Sequence, residues 1–525
     1  MSKIQTKMMR GLCVCGTALL LTACAVKPEP LSLDQHVSRA QTDMTQIYQD
    51  IAPVTAEITL SDAIARGLLY NLDHRMMMME RVLQDGQLTL ANFNMLPRLA
   101  ANAGYKSRSE VRASKSIGLR TGTVSLDDSY SEERDVFNAD LTVSWNLLDF
   151  GLGYFQAKQQ ADRVMTAVER RRKVMNNMVK EIMIAYWKAA TAEQVLPQVE
   201  TLLGEAEDAL KTSKAVEARG LESPMMSLEY RRNLLQVVSQ LKRIKGEMVM
   251  ARAQLASLIN IPPQQEFTIA KLERNDYQLP KITRSVSEFQ NYGLAYRPEL
   301  REEAYQRKID LQNVNKEILR MFPGLSMLAS ANHDSNEYLY YQEWGEFTTR
   351  LTWNLINVIQ GPTAIKNAKK QVEIADMRRM ALTAAVLGQV AISYTQYQQA
   401  TDHFYTTSQL STIEHKMLKI TANKAKAKEA SKLEYIHRQA RSIAANIERN
   451  RALVDAKSSL YNLMISVGGD LISGDTETQD LPAVTEKVDD ALKNMHSAEI
   501  NNWIIIKDAK TEQEPKAKPD TKAVM

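Results

Sequence analysis

A few residues have the type and spacing that could support chemistry, and each also has a plainer interpretation. Met76–Met79 is a run of four thioether side chains, which are soft ligands for copper or silver ions. The chain holds 25 methionines, so the run is more simply explained as apolar helix residues. Asp149-Phe150-Gly151 has the order of a kinase metal-binding triplet. It lacks the glycine-rich loop, lysine and His-Arg-Asp segment that accompany that triplet, so we interpret it as a turn.

The remaining composition also points away from catalysis. The seven histidines are scattered without metal-ligand spacing, and the sequence contains no P-loop or nucleophile elbow. Removal of a leader with Lys3, Lys7 and Arg10 lowers the formal charge from +4 to +1, which offers no basic field for nucleic acid. We therefore predict a protein that is not an enzyme, binds no cofactor or metal, and has no nucleic-acid partner.

Cys24 ends an N-terminal segment that is typical of processing. Basic Met1–Arg10 precedes Gly11–Leu21, which is apolar but too short to span a bilayer. Leu21-Thr22-Ala23-Cys24 resembles the lipobox of bacterial lipoproteins, in which the cysteine is lipidated; an ordinary secretory leader is the alternative. Ala25 stands where Asp would retain a lipoprotein at the inner membrane, so we expect a lipid anchor in the outer membrane. No other cysteine remains after cleavage, which excludes a disulfide.

The sequence repeats itself once. Gly67–Arg75 matches Gly293–Arg301 at an offset of 226 residues. Trp145–Leu148 matches Trp353–Ile356 at an offset of 208, so the first copy has 18 more residues between the two matched segments. Two long copies with one expandable loop indicate a duplication rather than a solenoid of short units.

Each copy predicts the order helix, strand, loop, strand, very long helix, turn and long helix. Ser61 or Asp62 is expected to cap the first helix, which runs to about Phe93. Apolar and polar residues alternate from Phe137 to Leu147, with Trp145 near one end. This pattern fits a membrane strand with lipid on one side, water on the other and an aromatic girdle. Strands are predicted at about 97–106, 136–148, 323–332 and 346–356.

A heptad repeat follows the second strand. From Ala161 to Leu210 every seventh residue is apolar, and a second apolar residue follows three positions later, except at Arg171. Such a seam specifies helix packing with a left-handed supercoil. A helix from Ala157 to Val216 would span roughly 90 Å at 1.5 Å per residue. A plain coiled-coil rod is the alternative, but the attached strands argue against it.

Four strands per chain cannot close into a membrane barrel, since known barrels have at least about 8 strands and lipid does not tolerate open edges. The sequence therefore predicts an oligomer that shares one barrel. The helices, which continue from the strands, would extend that barrel as a tube across the periplasm. The predicted fold class is mainly α with a membrane β-barrel.

The segments Ile58–Ile64 and Leu96–Leu99, the Trp-Asn-Leu strand ends and the duplicated order resemble the outer membrane efflux protein (TolC) family over about residues 55–467. The lipobox resembles its lipoprotein branch, the RND-type outer membrane factors. The resemblance implies a duplicated TolC-like protomer with four barrel strands and long coiled-coil helices. It also implies a homotrimeric α/β-barrel tunnel whose partners are a periplasmic adaptor, an inner-membrane transporter and outer-membrane lipid.

The resemblance also locates a periplasmic tip with two turns, at about 217–224 and 425–432. The second turn lacks the family glycine, and the first has Met226 where an acidic residue is usual. Ser223 and Ser431 are expected to be N-caps. The second tip is basic and is either a solvated helix end or a selective gate; its lysines are Lys424, Lys426, Lys428 and Lys432. The residues expected at the adaptor contact and gate are Gly220, Leu221, Glu222, Ser223, Glu429, Ala430, Ser431 and Glu434.

The chain is predicted to divide into six segments. These are a signal peptide 1–23, a lipidated segment 24–57, a first repeat 58–262, a linker 263–284 near the tunnel middle, a second repeat 285–469 and a polar tail 470–525. The tail is expected to pack one short segment and to be otherwise disordered.

These patterns predict a passive outer-membrane channel of a tripartite efflux or export system. The channel of an ABC-driven type I protein secretion system is one alternative, and a periplasm-spanning structural lipoprotein without transport is another. The sequence does not choose the substrate, the transporter or the residues that line the gate.

Overall fold

A computed structural model describes residues 29–124, 127–218, 224–262, 265–470, 472 and 480–497. The chain divides into two compact units at Pro53. The described part of the first unit contains helix α1, Leu33–Gln49, whose N-cap Ser32 forms a capping box with Gln35. None of the helices in the described ranges has both the length and the apolar character needed to cross a membrane.

The second unit begins at Val54, and its main helices occur in two sets of equal length. The first set contains helices of 11, 22, 72 and 35 residues: α2 Leu60–Tyr70, α3 Leu72–Phe93, α4 Leu147–Ala218 and α5 Pro224–Leu258. The second set has the same lengths in the same order: α6 Val286–Tyr296, α7 Pro298–Leu319, α8 Leu355–Lys426 and α9 Lys432–Ser466. The starts of the short helices differ by 226 residues and those of the long helices by 208.

The first helix of each set stops at a residue with extended backbone. Asn71 has ψ 123°, ends α2 and caps α3, its side chain accepting a hydrogen bond from the His74 amide at 3.1 Å. In the second set Arg297 holds this place before Pro298, a context that disfavours the α conformation. The prediction of one helix capped by Ser61 or Asp62 was therefore wrong. Thr59 caps α2 by accepting from the Asp62 amide.

Four antiparallel strands form one sheet in the order β1-β4-β5-β6. The strands are β1 Arg98–Ser107, β4 Asp135–Asn146, β5 Gly324–Asp334 and β6 Glu343–Thr352. A short hairpin of β2 Ala113–Ser114 and β3 Ser129–Tyr130 lies in the β1–β4 connection. The predicted strand 346–356 is wrong at its end, because Asn354 caps α8 and accepts a hydrogen bond from the Ile356 amide at 3.1 Å. Likewise, Asp149–Gly151 is the first turn of α4 rather than a loop turn.

Helix α4 follows β4 directly and starts at Leu147, ten residues before the predicted start. At 1.5 Å per residue its 72 residues span about 108 Å. It packs against α2, α3, α5, α7 and α9. The heptad seam is buried along it, with Ile182 and Val199 fully covered and Ala189 and Ala206 nearly so.

The largest core lies where α2, α4, α6, α8 and α9 meet, and one buried residue from each shows the convergence: Ile64, Ile182, Phe289, Val390 and Tyr461. A second core joins α4, α5 and α9 through Val199, Leu234 and Ile436. Helix α10, Leu481–Ser497, buries Val484 and Val488 in the first core and packs on α2. The predicted polar tail therefore contains a docked helix, while Trp503–Ile506 lies outside the described residues.

Candidate functional site

The four-stranded sheet has one apolar and one polar face. Leu99, Val143, Ala329 and Phe347 form one cross-strand row on the apolar face. Phe347 is 70% exposed in the single chain, and Leu99 is almost equally exposed. A large apolar surface that remains uncovered in one chain marks a site for lipid or for another protein.

The opposite face is hydrogen-bonded through its own side chains. Asp140 accepts hydrogen bonds from Asn102 at 2.9 Å and from Thr142 at 2.7 Å. Asn332 donates to Ser330 at 2.9 Å. These side chains are paired laterally across or along the strands and leave the face hydrophilic, as expected of a surface in contact with water.

The sheet is incomplete within one chain. Across the described residues, the outer edges of β1 and β6 pair with no strand. Exposed edges are templates for strands of another chain. The four strands have 10 to 12 residues, close to the 9–11 that a tilted membrane strand needs.

The two connections at the far end of the sheet are fastened to each other. Asn336, from the β5–β6 connection, is buried and donates to the Ser131 carbonyl at 2.9 Å. Its side-chain oxygen accepts from the Glu133 amide at 3.2 Å. The Tyr130 and Tyr338 rings meet edge to face with centroids 5.3 Å apart. This end of the sheet is therefore rimmed with tyrosine and held at a fixed geometry.

At the opposite end of the long helices, α8 and α9 join through a tight turn at 427–431. The Glu429 amide donates to the Lys424 carbonyl at 2.9 Å and the Lys428 amide donates to the Ala425 carbonyl at 3.1 Å, which together make a Schellman motif. Lys428 has φ +61°, the left-handed conformation that favours glycine. Lys428 lies 208 residues after Gly220, so the second copy keeps the backbone that the first copy's glycine favours but has a lysine there.

The predicted residues of the second tip are placed as follows. Ser431 caps α9 and accepts a hydrogen bond from the Glu434 amide at 3.1 Å, which confirms it as an N-cap. Glu429 and Glu434 are exposed, and Ala430 is half-buried. The exposed lysines of the turn surround them. The structure thus brings Glu429, Ala430, Ser431 and Glu434 together on one helical turn.

The remaining predicted site residues cannot be placed. Cys24 lies outside the described residues, as does the first tip turn with Gly220, Leu221, Glu222 and Ser223. The positions around that turn are defined only by the end of α4 at Ala218 and the start of α5 at Pro224.

Ion pairs hold the two helical hairpins closed above their tips. Arg438 of α9 lies 3.3 Å from Glu414 of α8, and both side chains are largely buried. Lys245 of α5 lies 2.8 Å from Glu200 of α4. Pairs of this kind contribute modestly, about 0–1 kcal/mol when exposed and more when partly buried.

Apolar stripes at heptad spacing remain exposed on several helices. On α8 the stripe is Leu410, Ile413, Met417 and Ile420. On α3 it is Met76, Met79, Leu83, Leu90 and Phe93. The methionine run thus belongs partly to an exposed packing stripe. Among the described residues no group of three His, Cys, Asp or Glu side chains could hold a metal ion.

Comparison with known proteins adds family and fold. Residues 70–260 match the profile of the outer membrane efflux protein family. No curated protein sequence matches the chain. Among solved structures, the Campylobacter jejuni CmeC outer membrane channel superposes with a TM-score of 0.62 at 12% identity, covering 88% of this chain and 97% of CmeC.

Two further structures agree. The Neisseria gonorrhoeae MtrE outer membrane channel, in its open state, gives a TM-score of 0.61 at 20% identity and covers 80% of this chain and 91% of MtrE. CusC, studied for folding and transmembrane channel formation, gives 0.60 at 14% identity and covers 80% and 96%. The predicted TolC-like, mainly α fold is confirmed. Over residues 70–260 the sequence is that of the outer membrane efflux protein family, and the chain as a whole carries the fold of these outer membrane channels.

Proposed function

We propose that the protein is the outer-membrane channel of a tripartite efflux or export system. It passes substrates passively from an inner-membrane transporter and a periplasmic adaptor to the outside. The observation that carries the proposal is the sheet: it has an exposed apolar face, a hydrophilic face and two free edges, and it continues directly into α4. Such a sheet is satisfied when copies of the chain close it into a barrel with lipid outside and water inside.

Three copies are the assembly we propose. The family and the similar structures are outer membrane channels, and the exposed heptad stripes on α3 and α8 offer the surfaces that coiled-coil packing between copies requires. The barrel edges would be β1 of one copy and β6 of the next. Purified protein in detergent is expected to have about three times the chain mass of 59.3 kDa by light scattering.

Conductance tests the channel directly. Purified assemblies in planar bilayers are expected to conduct ions, and an assembly that never conducts would leave only the structural lipoprotein. A matched pair of variants tests which face meets lipid. Phe347→Arg places a charge on the apolar face and costs about 2–4 kcal/mol per chain at the bilayer midplane. Thr348→Arg, the next residue on the opposite face, is expected to insert normally.

The lipid anchor is a separate part of the proposal. We propose that Cys24 carries the acyl chains and that sorting delivers the protein to the outer membrane. Intact mass of the membrane-extracted protein is expected to show acylation that Cys24→Ser removes. An unmodified Cys24 would leave the channel proposal untouched.

The tip is proposed as the adaptor contact and gate, through Glu429, Ala430, Ser431 and Glu434 together with the first turn at Gly220–Ser223. In a Cys24→Ser background that still inserts, Ala430→Cys would be the chain's only cysteine once the leader is removed. A bifunctional maleimide–amine reagent is then expected to link it to a co-expressed adaptor. Thr406→Cys, about 36 Å away along α8, is the control that is expected to stay unlinked.

Substrate class is decided by genetics. A deletion strain that becomes sensitive to small toxic compounds supports efflux, whereas loss of a secreted protein supports type I secretion. Neither phenotype would count against transport by this chain.

A further inference from the structure

A recessed polar cavity of about 240 Å³ lies where four helices meet at the start of α7. Helix α4 contributes Lys173 and Lys180, α7 begins with Arg297 and Glu299, and α8 and α9 contribute Gln389 and Asn462. The wall therefore has three cationic side chains and one carboxylate, and amide groups supply most of the rest.

The single carboxylate is already committed. Glu299 lies 3.0 Å from Arg297 and 3.5 Å from Lys173. Burial alone would raise the pKa of Glu299, but these two cations hold it below its ordinary value, so the carboxylate stays ionised. Lys180 has no carboxylate within 4.0 Å among the described side chains. Two positive charges of the wall thus lack a compensating negative charge.

Arg297 itself is incompletely bonded. It is 8% exposed, and its Nε and Nη2 donate to Glu299 and to Gln389 at 3.0 and 2.6 Å. Its Nη1 is buried and has no hydrogen-bond acceptor among the described atoms. Buried charged donors are costly to leave unpaired, so an acceptor at this position is expected.

The helix start strengthens the same field. Arg297 is the N-cap of α7, a helix of 22 residues, and forms no side-chain capping hydrogen bond. The N-terminal end of a helix carries a partial positive charge and favours anions. First-copy residues at the equivalent places are Asn71 and Asp73, so the cationic wall belongs to the second copy alone.

From this we infer that the cavity between α4, α7, α8 and α9 binds a small oxyanion of the phosphate or sulfate class. The anion would accept hydrogen bonds from the cationic wall and give Arg297 its missing acceptor. Because the wall belongs to four helices, a bound anion would fasten them together. A cavity of 240 Å³ holds such an ion together with a few waters.

Calorimetric titration of inorganic phosphate into the full-length protein in detergent tests the inference, with sodium chloride matching the ionic strength. Sodium sulfate is titrated separately, to distinguish the two oxyanions. Saturable binding of either anion with a rise in the thermal midpoint supports the site. Heats that do not saturate, or equal shifts with chloride, would overturn it.

Two variants link the binding to this cavity. Lys180→Gln removes the unpaired cation and is expected to weaken binding by about tenfold, as for loss of one charge-assisted hydrogen bond. Lys214→Gln makes the same change at an exposed site about 51 Å further along α4 and is expected to leave the affinity unchanged. Equal affinities for both variants would refute the location. Asn462→Asp, which adds a negative charge to the wall, is expected to abolish binding and replaces Lys180→Gln if that variant fails to assemble.

Discussion

Lys457 offers the most direct test of how charge is handled inside the largest core. The residue is 3% exposed, and its Nζ lies 3.8 Å from the centre of the Trp187 ring. Trp187 in turn donates a hydrogen bond to the buried Tyr461 hydroxyl at 2.9 Å. Burial lowers the pKa of Lys457 from 10.5 to about 8, although Asp276 acts in the opposite direction.

The lowered pKa has a defined effect on stability. Between pH 8 and 10.5 the unfolded chain binds a proton at this lysine that the folded chain does not, so stability rises with pH across that window. Below pH 8 the folded chain carries the buried ammonium at a cost of about 3 kcal/mol, at 1.36 kcal/mol per pKa unit. The contact with Trp187 returns up to about 2 kcal/mol. Lys457→Met keeps the length of the side chain and is therefore expected to stabilise the protein by about 1–3 kcal/mol at pH 7.

Guanidinium denaturation at pH 7 and at pH 9.5 measures this effect. The advantage of Lys457→Met over the parent is expected at pH 7 and shrinks at pH 9.5, where the parent lysine is neutral. Lys158→Met is the control, because Lys158 also lies over an aromatic ring, at 4.6 Å from the centre of Tyr154, but is exposed. If the two variants showed the same pH dependence, or if Lys457→Met were destabilising at pH 7, the reasoning from burial would be refuted.

Three further changes have expected outcomes. Lys428→Gly relieves the left-handed backbone of the tip turn and should stabilise it by about 0.5–1 kcal/mol, seen as slower amide exchange at 427–431; faster exchange would contradict the strain. Gly468→Ala combines φ +75° with a Cβ only 2.5 Å from the Tyr296 carbonyl carbon, so it should cost about 2–4 kcal/mol and lower the yield of assembled protein. Replacing Lys424, Lys426 and Lys428 by glutamine should move the reversal potential of bilayer conductance towards cation preference, and no shift, as for Lys158→Gln, would make these lysines a solvated helix end.

The periodic features of the sequence predicted most of the fold. The offsets of 226 and 208 residues recur in the helix starts, because the duplicated segments fold into helices of the same length. The heptad seam of α4 and the alternation in β4 are long patterns, and long patterns survive local errors. The resemblance to the efflux protein family was likewise readable from order and register.

Features set by single residues were harder to predict. Asn71 is an ordinary helix residue by sequence, yet its extended backbone splits α2 from α3, and only the Pro298 of the second copy hinted at that break. Lys428 gave no sign of a left-handed conformation, although the alignment with Gly220 contained the information. The anionic preference of the cavity at Arg297 depends on side chains from four helices, which no local pattern joins.

The unequal strand connections have a consequence for the outer rim of the assembly. Residues 108–134 join β1 to β4, whereas only 335–342 join β5 to β6, and Asn336 fastens the short connection to the long one. In a closed ring of three chains, long and short loops would alternate around the mouth, so three arms could reach across it while three brackets hold them. Lengthening a surface loop costs little free energy, about 0.6 kcal/mol per doubling. The mouth can therefore change its reach in evolution through one segment of the first copy, while the wall beneath it keeps its register.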